Sequence, residues 1–445
     1  MSQNTHWSSK IGFILSAAGS AIGLGAIWKF PYTAGNNGGA VFFLIFLVFT
    51  LLIGLPVLLA EFYVGRKSQR DAVAAFPVLA PQAPAWKVVG IAGVVACFLL
   101  LSFYSVVGGW VFAYVWHAVS GSVTAGADFK ELFGATISQP GGVIFWQALF
   151  MLVTVAVVQN GISQGIEKAS RYLMPALFIM FVLLAVRSLT LPGAMAGVSF
   201  LLKPDFSAIS GGTLLTALGQ AFFALSLGVS AMLTYAAYLD DKQDLFRSAH
   251  SVMWLNMLVS LLAGLVIFPA VFAFGMEPGE GPGLIFIVLP AVFQQIPFGT
   301  VLFAVFMVLV AFATLTSAFA MLETVIAPLV RRYPRRKVTW LTGLAILLVG
   351  IPSALSFGVM ADWTIGGKTV FDVWDYLITS WVMPLGALAT AAFVGWAQPR
   401  ERVWEHMRRG SSVSDKVVGL WYAALRYLAP VAIVLVFVQT LGWLK

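Results

Sequence analysis

Charge is what this sequence has least of. Only 10% of its 445 residues are Asp, Glu, Lys or Arg, while 60% are hydrophobic; soluble domains carry roughly 25% charged residues. That scarcity excludes a soluble globular fold and identifies an integral membrane protein. Cysteine is nearly absent: Cys97 stands alone in an apolar run, which excludes a disulfide framework and a cysteine-based metal site. His6, His117, His250 and His406 are scattered near helix ends and loops, without an H-E-x-x-H pattern or catalytic grouping, so no enzymatic constellation is legible. No selectivity-filter run or ring of pore charges suggests a channel. The net charge of +8 traces to Lys and Arg around the apolar runs, and no nucleic-acid signature accompanies it.

Apolar runs able to cross roughly 30 Å of hydrocarbon occur near residues 11–33, 40–64, 87–119, 142–160, 167–190, 212–240, 250–275, 300–330, 338–358, 376–397 and 417–443. The expected fold is all-α with eleven transmembrane helices. The first run lacks an A-x-A cleavage pattern and reads as a retained span. With the N-terminus inside, one set of loops collects nineteen Lys and Arg, and the opposite loops with the C-terminus hold five: Lys130, Arg187, Lys203, Lys368 and Lys445. The positive-inside rule therefore places the N-terminus in the cytoplasm and the C-terminus outside. No soluble domain fits between spans. In the connection over 276–299, Gly279, Gly281, Pro282 and Gly283 precede an apolar run over 284–293, which predicts a short helix folded over the outer face.

Two apolar runs contain what a membrane helix avoids. Gly19, Ser20, Gly23 and Gly25 crowd the first span, and Gly219, Gln220, Ser226, Gly228 and Ser230 the sixth. One such stretch alone reads as small residues letting helices approach closely. Two, five spans apart, point to a five-plus-five inverted repeat with broken helices 1 and 6 and a site at the midplane. The halves are then residues 1–190 and 191–397, with 398–445 forming a cytoplasmic loop and span 11. A broken helix exposes N–H groups at one end and C=O groups at the other, each carrying about half a unit of charge. The first suits a carboxylate, the second a cation. Thr314, Thr316 and Ser317 line up in span 8. Helical hydroxyls usually bond back to the i−4 carbonyl, but beside a broken helix they become hard oxygen ligands. Glu61 reads either as an interfacial anchor or as a partner for broken-helix backbone. Lys29 and Asp375 read as a gate pair or as unrelated interfacial charges. Gly165 and Pro175 mark either a plain kink in span 5 or an inner segment that unwinds to admit water.

At these residues the chain resembles the neurotransmitter:sodium symporter family, most closely its bacterial amino-acid members. The match runs from Trp7 through span 11. It is carried by Gly19–Pro31, Asn37-Gly38-Gly39, Glu61 with Gly65-Arg66, Tyr104, Trp110, Gly219–Tyr235, Thr316-Ser317 and Asp375-Tyr376. Eleven spans and the Gly165-to-Pro175 spacing resemble a bacterial subgroup, which implies a multi-pass protein of a bacterial inner membrane. The resemblance implies a sodium site (the family's second) on the backbone of Gly19, Ile22 and Ala313 and the hydroxyls of Thr316 and Ser317. It implies a substrate pocket of Ser20, Ala21, Leu24, Gly25, Leu100, Tyr104, Phe223, Ala224, Ser226, Val229, Ser317 and Met321. Tyr104 would bond the substrate carboxylate, Phe223 would form its lid, and both would join Lys29 and Asp375 in the outer gate.

Departures from the family pattern carry their own expectations. Its first sodium site wants a side-chain oxygen where this chain has Ala26 and a hydroxyl where it has Ala224. Only the Ala21 carbonyl, Asn256 and a substrate carboxylate remain, and a methyl supplies no oxygen to a hard cation. One Na⁺ per substrate is therefore expected. Phe46 and Ala224 replace hydroxyl residues of the family's chloride site, although Gln220 and Ser260 persist, so chloride independence is expected. The expected function is sodium-coupled import of a neutral, hydrophobic amino acid by alternating access. A non-transporting amino-acid sensor and a proton-coupled or sodium-independent exchanger share the same binding features.

Overall fold

Hydrocarbon offers no partner to a backbone N–H or C=O, so a chain this apolar must fold into helices whose bonds close within each segment. The computed structural model describes residues 6–123, 126–278, 283–295 and 297–440. Among them the only extended pairing is a single bridge between Ile365 and Lys368. Gly279, Gly281, Pro282 and Lys445, used above, lie outside the described residues.

Among the described residues, ten helices are long and apolar enough to cross a bilayer: Lys10–Asn36, Ala40–Ser68, Pro84–Ser120, Pro140–Val158, Ile162–Leu189, Leu245–Ala273, Gly299–Val330, Arg335–Leu355, Val370–Ala397 and Asp415–Leu435. They correspond to spans 1–5 and 7–11. The run expected over 212–240 is split into Gly211–Ala224 and Ala231–Ala236. Each piece is shorter than the ~20 residues a crossing requires; together they are called span 6 below. The expected short helix is present as Ile285–Gln294, with Ile285, Phe286, Leu289, Val292 and Phe293 buried.

Proline explains much of the local geometry. Seven five- or six-residue π-helical turns interrupt the described helices, and six of them end two residues before a proline: Pro31, Pro56, Pro290, Pro384, Pro399 and Pro430. Proline has no N–H and its ring clashes with the carbonyl four residues back, so the preceding turn widens. The seventh turn, Ile162–Glu167, follows Gly161 at φ 87° and has no such proline. Pro175 lies inside the helix Lys168–Leu189. Span 5 therefore departs from α geometry at 161–167, around Gly165, and not at Pro175.

Burial identifies the central span. The most apolar stretch of span 1 is 83% buried, against 33% for span 5. Span 1 packs against spans 5, 7 and 8, and span 8 also runs along span 3. Small residues permit the approach: a Cβ on Gly19 would come within 2.9 Å of the Thr316 Cβ. Outside the spans, the helix Arg400–Arg408 is tied down by Arg66, which is fully buried. Its guanidinium donates to His406 Nε2 at 2.9 Å, to the His406 carbonyl at 2.5 Å and to the Gln243 carbonyl. Burial, and then the Arg66 charge, push the His406 imidazole down to about 2, which keeps it a neutral acceptor.

Candidate functional site

Span 1 breaks at Gly23, whose φ and ψ of 6° and −151° leave the helical region. Nothing larger than glycine fits, because a Cβ there would run into the Ser317 hydroxyl and stand 3.0 Å from Tyr104 Oη. The break frees the Leu24 N–H, which donates to Tyr104 Oη at 3.3 Å. Span 6 breaks after Ala224. Ser226, Gly228 and Ser230 take left-handed conformations at φ 53°, 79° and 60°, a strained choice for the two serines.

The freed groups of span 6 find partners on other spans. Glu61, 1% exposed, accepts the Gly228 N–H at 2.7 Å and the Leu233 N–H at 3.3 Å. Of the two readings of Glu61, the geometry matches the partner for broken-helix backbone. Ser226 Oγ donates to the Ser20 carbonyl at 3.0 Å, and Gln220 Nε2 to the Gly25 carbonyl at 2.7 Å. Asn256 Nδ2 donates to the carbonyls of Ala21 and Ala224 at 2.9 and 2.8 Å. The two breaks thus face each other and are stitched together by side-chain amides and hydroxyls.

Beside them lies a corner made of oxygen. Thr316 Oγ1 is 2.9 Å from the carbonyls of both Gly19 and Ala313. Ser317 Oγ is 2.9 Å from the Ser20 carbonyl and 3.4 Å from those of Gly19 and Ala313. Ile22 is buried one turn beyond Gly19. Carbonyls and hydroxyls without a carboxylate make a neutral, hard-oxygen environment of the kind that suits a small cation. No group of three His, Cys, Asp or Glu residues capable of holding a metal occurs among the described residues.

Between the breaks is a cavity of about 30 Å³ lined by Ser20, Ala21, Gly23, Leu24, Gly25, Leu100, Tyr104, Phe223, Ser226, Ser317, Met321 and Met383. Ten of these residues were expected from sequence. Ala224 and Val229, also expected there, fall outside the lining: the Ala224 carbonyl faces Asn256 and the Val229 carbonyl accepts from the Cys97 thiol at 3.1 Å. Met383, from span 10, carried no signal in sequence, being an apolar residue in an apolar run.

Lys29 and Asp375 stand beside Phe223, one of the residues lining the cavity. Lys29 Nζ lies 3.7 Å from Asp375 Oδ1 and 4.4 Å from the centroid of the Phe223 ring. Tyr104 lines the cavity together with Phe223, and its hydroxyl accepts from the Leu24 N–H at the span 1 break. Toward the N-terminal end a second cavity of about 320 Å³ is bordered by His6, Asp71, Tyr238, Arg331 and Arg335. There Arg331 pairs with Asp71 at 3.0 Å, and buried Glu323 accepts from Tyr238 Oη at 2.8 Å and pairs with Arg335.

Known proteins are similar to this chain in sequence and fold. Residues 4–128 and 127–444 match the model of the sodium:neurotransmitter symporter family. A sodium-dependent transporter of Bacillus subtilis (strain 168), YhdH, is 49% identical over 443 residues, covering 99% of this chain and 98% of the relative. A sodium-dependent transporter of Haemophilus influenzae is 35% identical, over 99% and 98% of the two chains. The crystal structure of MhsT in complex with L-phenylalanine superposes with a TM-score of 0.92 at 43% identity, covering 98% of this chain and 99% of that one.

Proposed function

The chain belongs to the sodium:neurotransmitter symporter family, a family of membrane transporters and not enzymes, and from that premise we propose that it imports a neutral amino acid with an apolar side chain by alternating access, one Na⁺ per substrate. The observation that carries this reading is the meeting of the two breaks. N–H groups freed at Gly23 suit a substrate carboxylate, and the oxygens of Gly19, Ala313, Thr316 and Ser317, with Ile22, suit Na⁺. No acidic residue lines the cavity, which favours a substrate that brings its own carboxylate. The L-phenylalanine bound by MhsT supports an amino acid. Lys29, Asp375 and Phe223 act as the gate at one end, and the departure of span 5 at 161–167 gives water its route at the other.

One ion rather than two follows from Ala26 and Ala224. Both side chains are methyls, fully buried, and supply no oxygen to a cation beside the Ala21 carbonyl and Asn256. A single charge moving through 100 mV still supplies about 2.3 kcal/mol, about fifty-fold accumulation. Phe46 and Ala224 beside Gln220 and Ser260 support transport without chloride. The charge asymmetry of the loops supports an N-terminus in the cytoplasm of a bacterial cell, and the paired breaks support an inverted repeat of residues 1–190 and 191–397.

Proteoliposome uptake of labelled alanine and leucine tests the reading, with Na⁺ and proton gradients imposed separately. The expected result is accumulation driven by the Na⁺ gradient, with a Hill coefficient near one and no loss when gluconate replaces chloride. Accumulation driven by protons without Na⁺, or binding without flux, overturns it.

A further inference from the structure

We propose that Met383 sets the size limit of the substrate, confining it to amino acids with small apolar side chains. The inference rests on the amino-acid reading above and deepens it. Span 10 reaches the cavity through an unusually close crossing. A Cβ on Gly228 would collide with the Met383 carbonyl and lie 2.9 Å from the Ala387 nitrogen, and one on Gly386 would lie 3.0 Å from the Gly228 Cα. Two glycines therefore let the backbone of span 10 touch the unwound part of span 6 directly. Pro384 sets the side-chain register. The π turn Ile378–Val382 ahead of it shifts the helix face, so that Met383 lines the central cavity while Pro384 borders a separate cavity beside Lys29 and Gln220.

The consequence is a side-chain subsite already occupied by protein. Leu100, Phe223, Met321 and Met383 supply its apolar walls, and the cavity they leave is about 30 Å³, room for about two water molecules. Met383 is 1% exposed, so its side chain is enclosed by protein, and its backbone is held at the span 6 crossing. A methyl or isopropyl side chain is accommodated by small shifts of the two methionines, whose unbranched thioethers adapt to irregular space. A benzyl group requires Met383 to leave.

The test is thermal stabilisation of the detergent-purified full chain in NaCl by glycine, alanine, valine, leucine and phenylalanine, read as apparent Kd. The native chain is expected to bind alanine and valine more tightly than phenylalanine. In M383A the phenylalanine-to-alanine affinity ratio should rise at least tenfold, the scale of discrimination that one or a few methylenes supply in a hydrophobic pocket. M383F should move the ratio the opposite way, a sign reversal that loosened packing alone does not give. M383V, the milder change at the crossing, should fall between the native chain and M383A. A ratio within twofold of native in both M383A and M383V overturns the proposal, as does a native chain that binds phenylalanine as tightly as alanine. Absence of Na⁺-dependent stabilisation by every amino acid is a different result: it overturns the amino-acid reading itself and the size limit with it.

Discussion

At the scale of single residues, chemistry hangs on oxygens in places where neighbouring side chains have none. Thr316 Oγ1 lies 2.9 Å from two carbonyls, and valine reproduces its shape without that oxygen. In T316V the half-saturating Na⁺ concentration for uptake should rise at least tenfold, the order expected when one ligand of a hard-cation site is lost. An unchanged Na⁺ dependence would remove Thr316 from the site. Thr316, Ser317 and Glu61 were legible in the sequence because a polar residue in an apolar run stands out and must be accounted for. Met383 was not legible, since methionine among apolar residues carries no contrast. Ala224 and Val229 show a second limit of reading by position alone. Around a break, helical periodicity no longer says which residue reaches the cavity, and neither is part of its lining.

At the scale of elements, breaks were easier to locate than to shape. Clusters of glycine and serine in spans 1 and 6 point to them, whereas six of the π turns are marked only by a proline two residues beyond. Span 5 is the exception, and its geometry is held by a carboxylate instead. Glu167, 1% exposed, accepts from the Ser8 N–H at 2.7 Å, from Ser8 Oγ at 2.6 Å and from Ser9 Oγ at 2.9 Å, and pairs with Arg171 at 3.0 Å. It thereby clamps the start of span 1 to the π turn 162–167. Removing the clamp should free the first turns of span 1 into water. Ser16 gives a clean reporter, because it is buried and its hydroxyl has no hydrogen-bond partner. The native Cys97 is also buried and contributes little background labelling. Maleimide labelling of S16C should become several-fold faster when E167A is added. Equal labelling rates would show that Glu167 does not restrain this end.

For the whole molecule, two ion pairs of unequal strength stand toward opposite ends of span 1, one beside Phe223 of the central cavity and one at the second cavity. At one end Lys29 and Asp375 lie 3.7 Å apart with side chains 18% and 39% exposed, a geometry worth about 0–1 kcal/mol. At the other, Glu323 is fully buried between Tyr238 and Arg335, and removing one partner of a buried pair typically costs 3–5 kcal/mol. Charge counting along the loops registered this end as rich in Lys and Arg. It did not register that Arg66 is buried and spent on backbone carbonyls, because counting weighs charge without regard to partners. Under the alternating access proposed above, the weaker latch at Lys29 is expected to open first. If the Lys29–Asp375 attraction is what matters there, its sign should be exchangeable. K29D and D375K, each placing like charges together, should lower Na⁺-driven uptake at least tenfold. The double variant K29D/D375K restores an opposite pair and should recover a third or more of the native rate. A double variant no better than either single one would mean that this end is held by the Phe223 lid and not by charge.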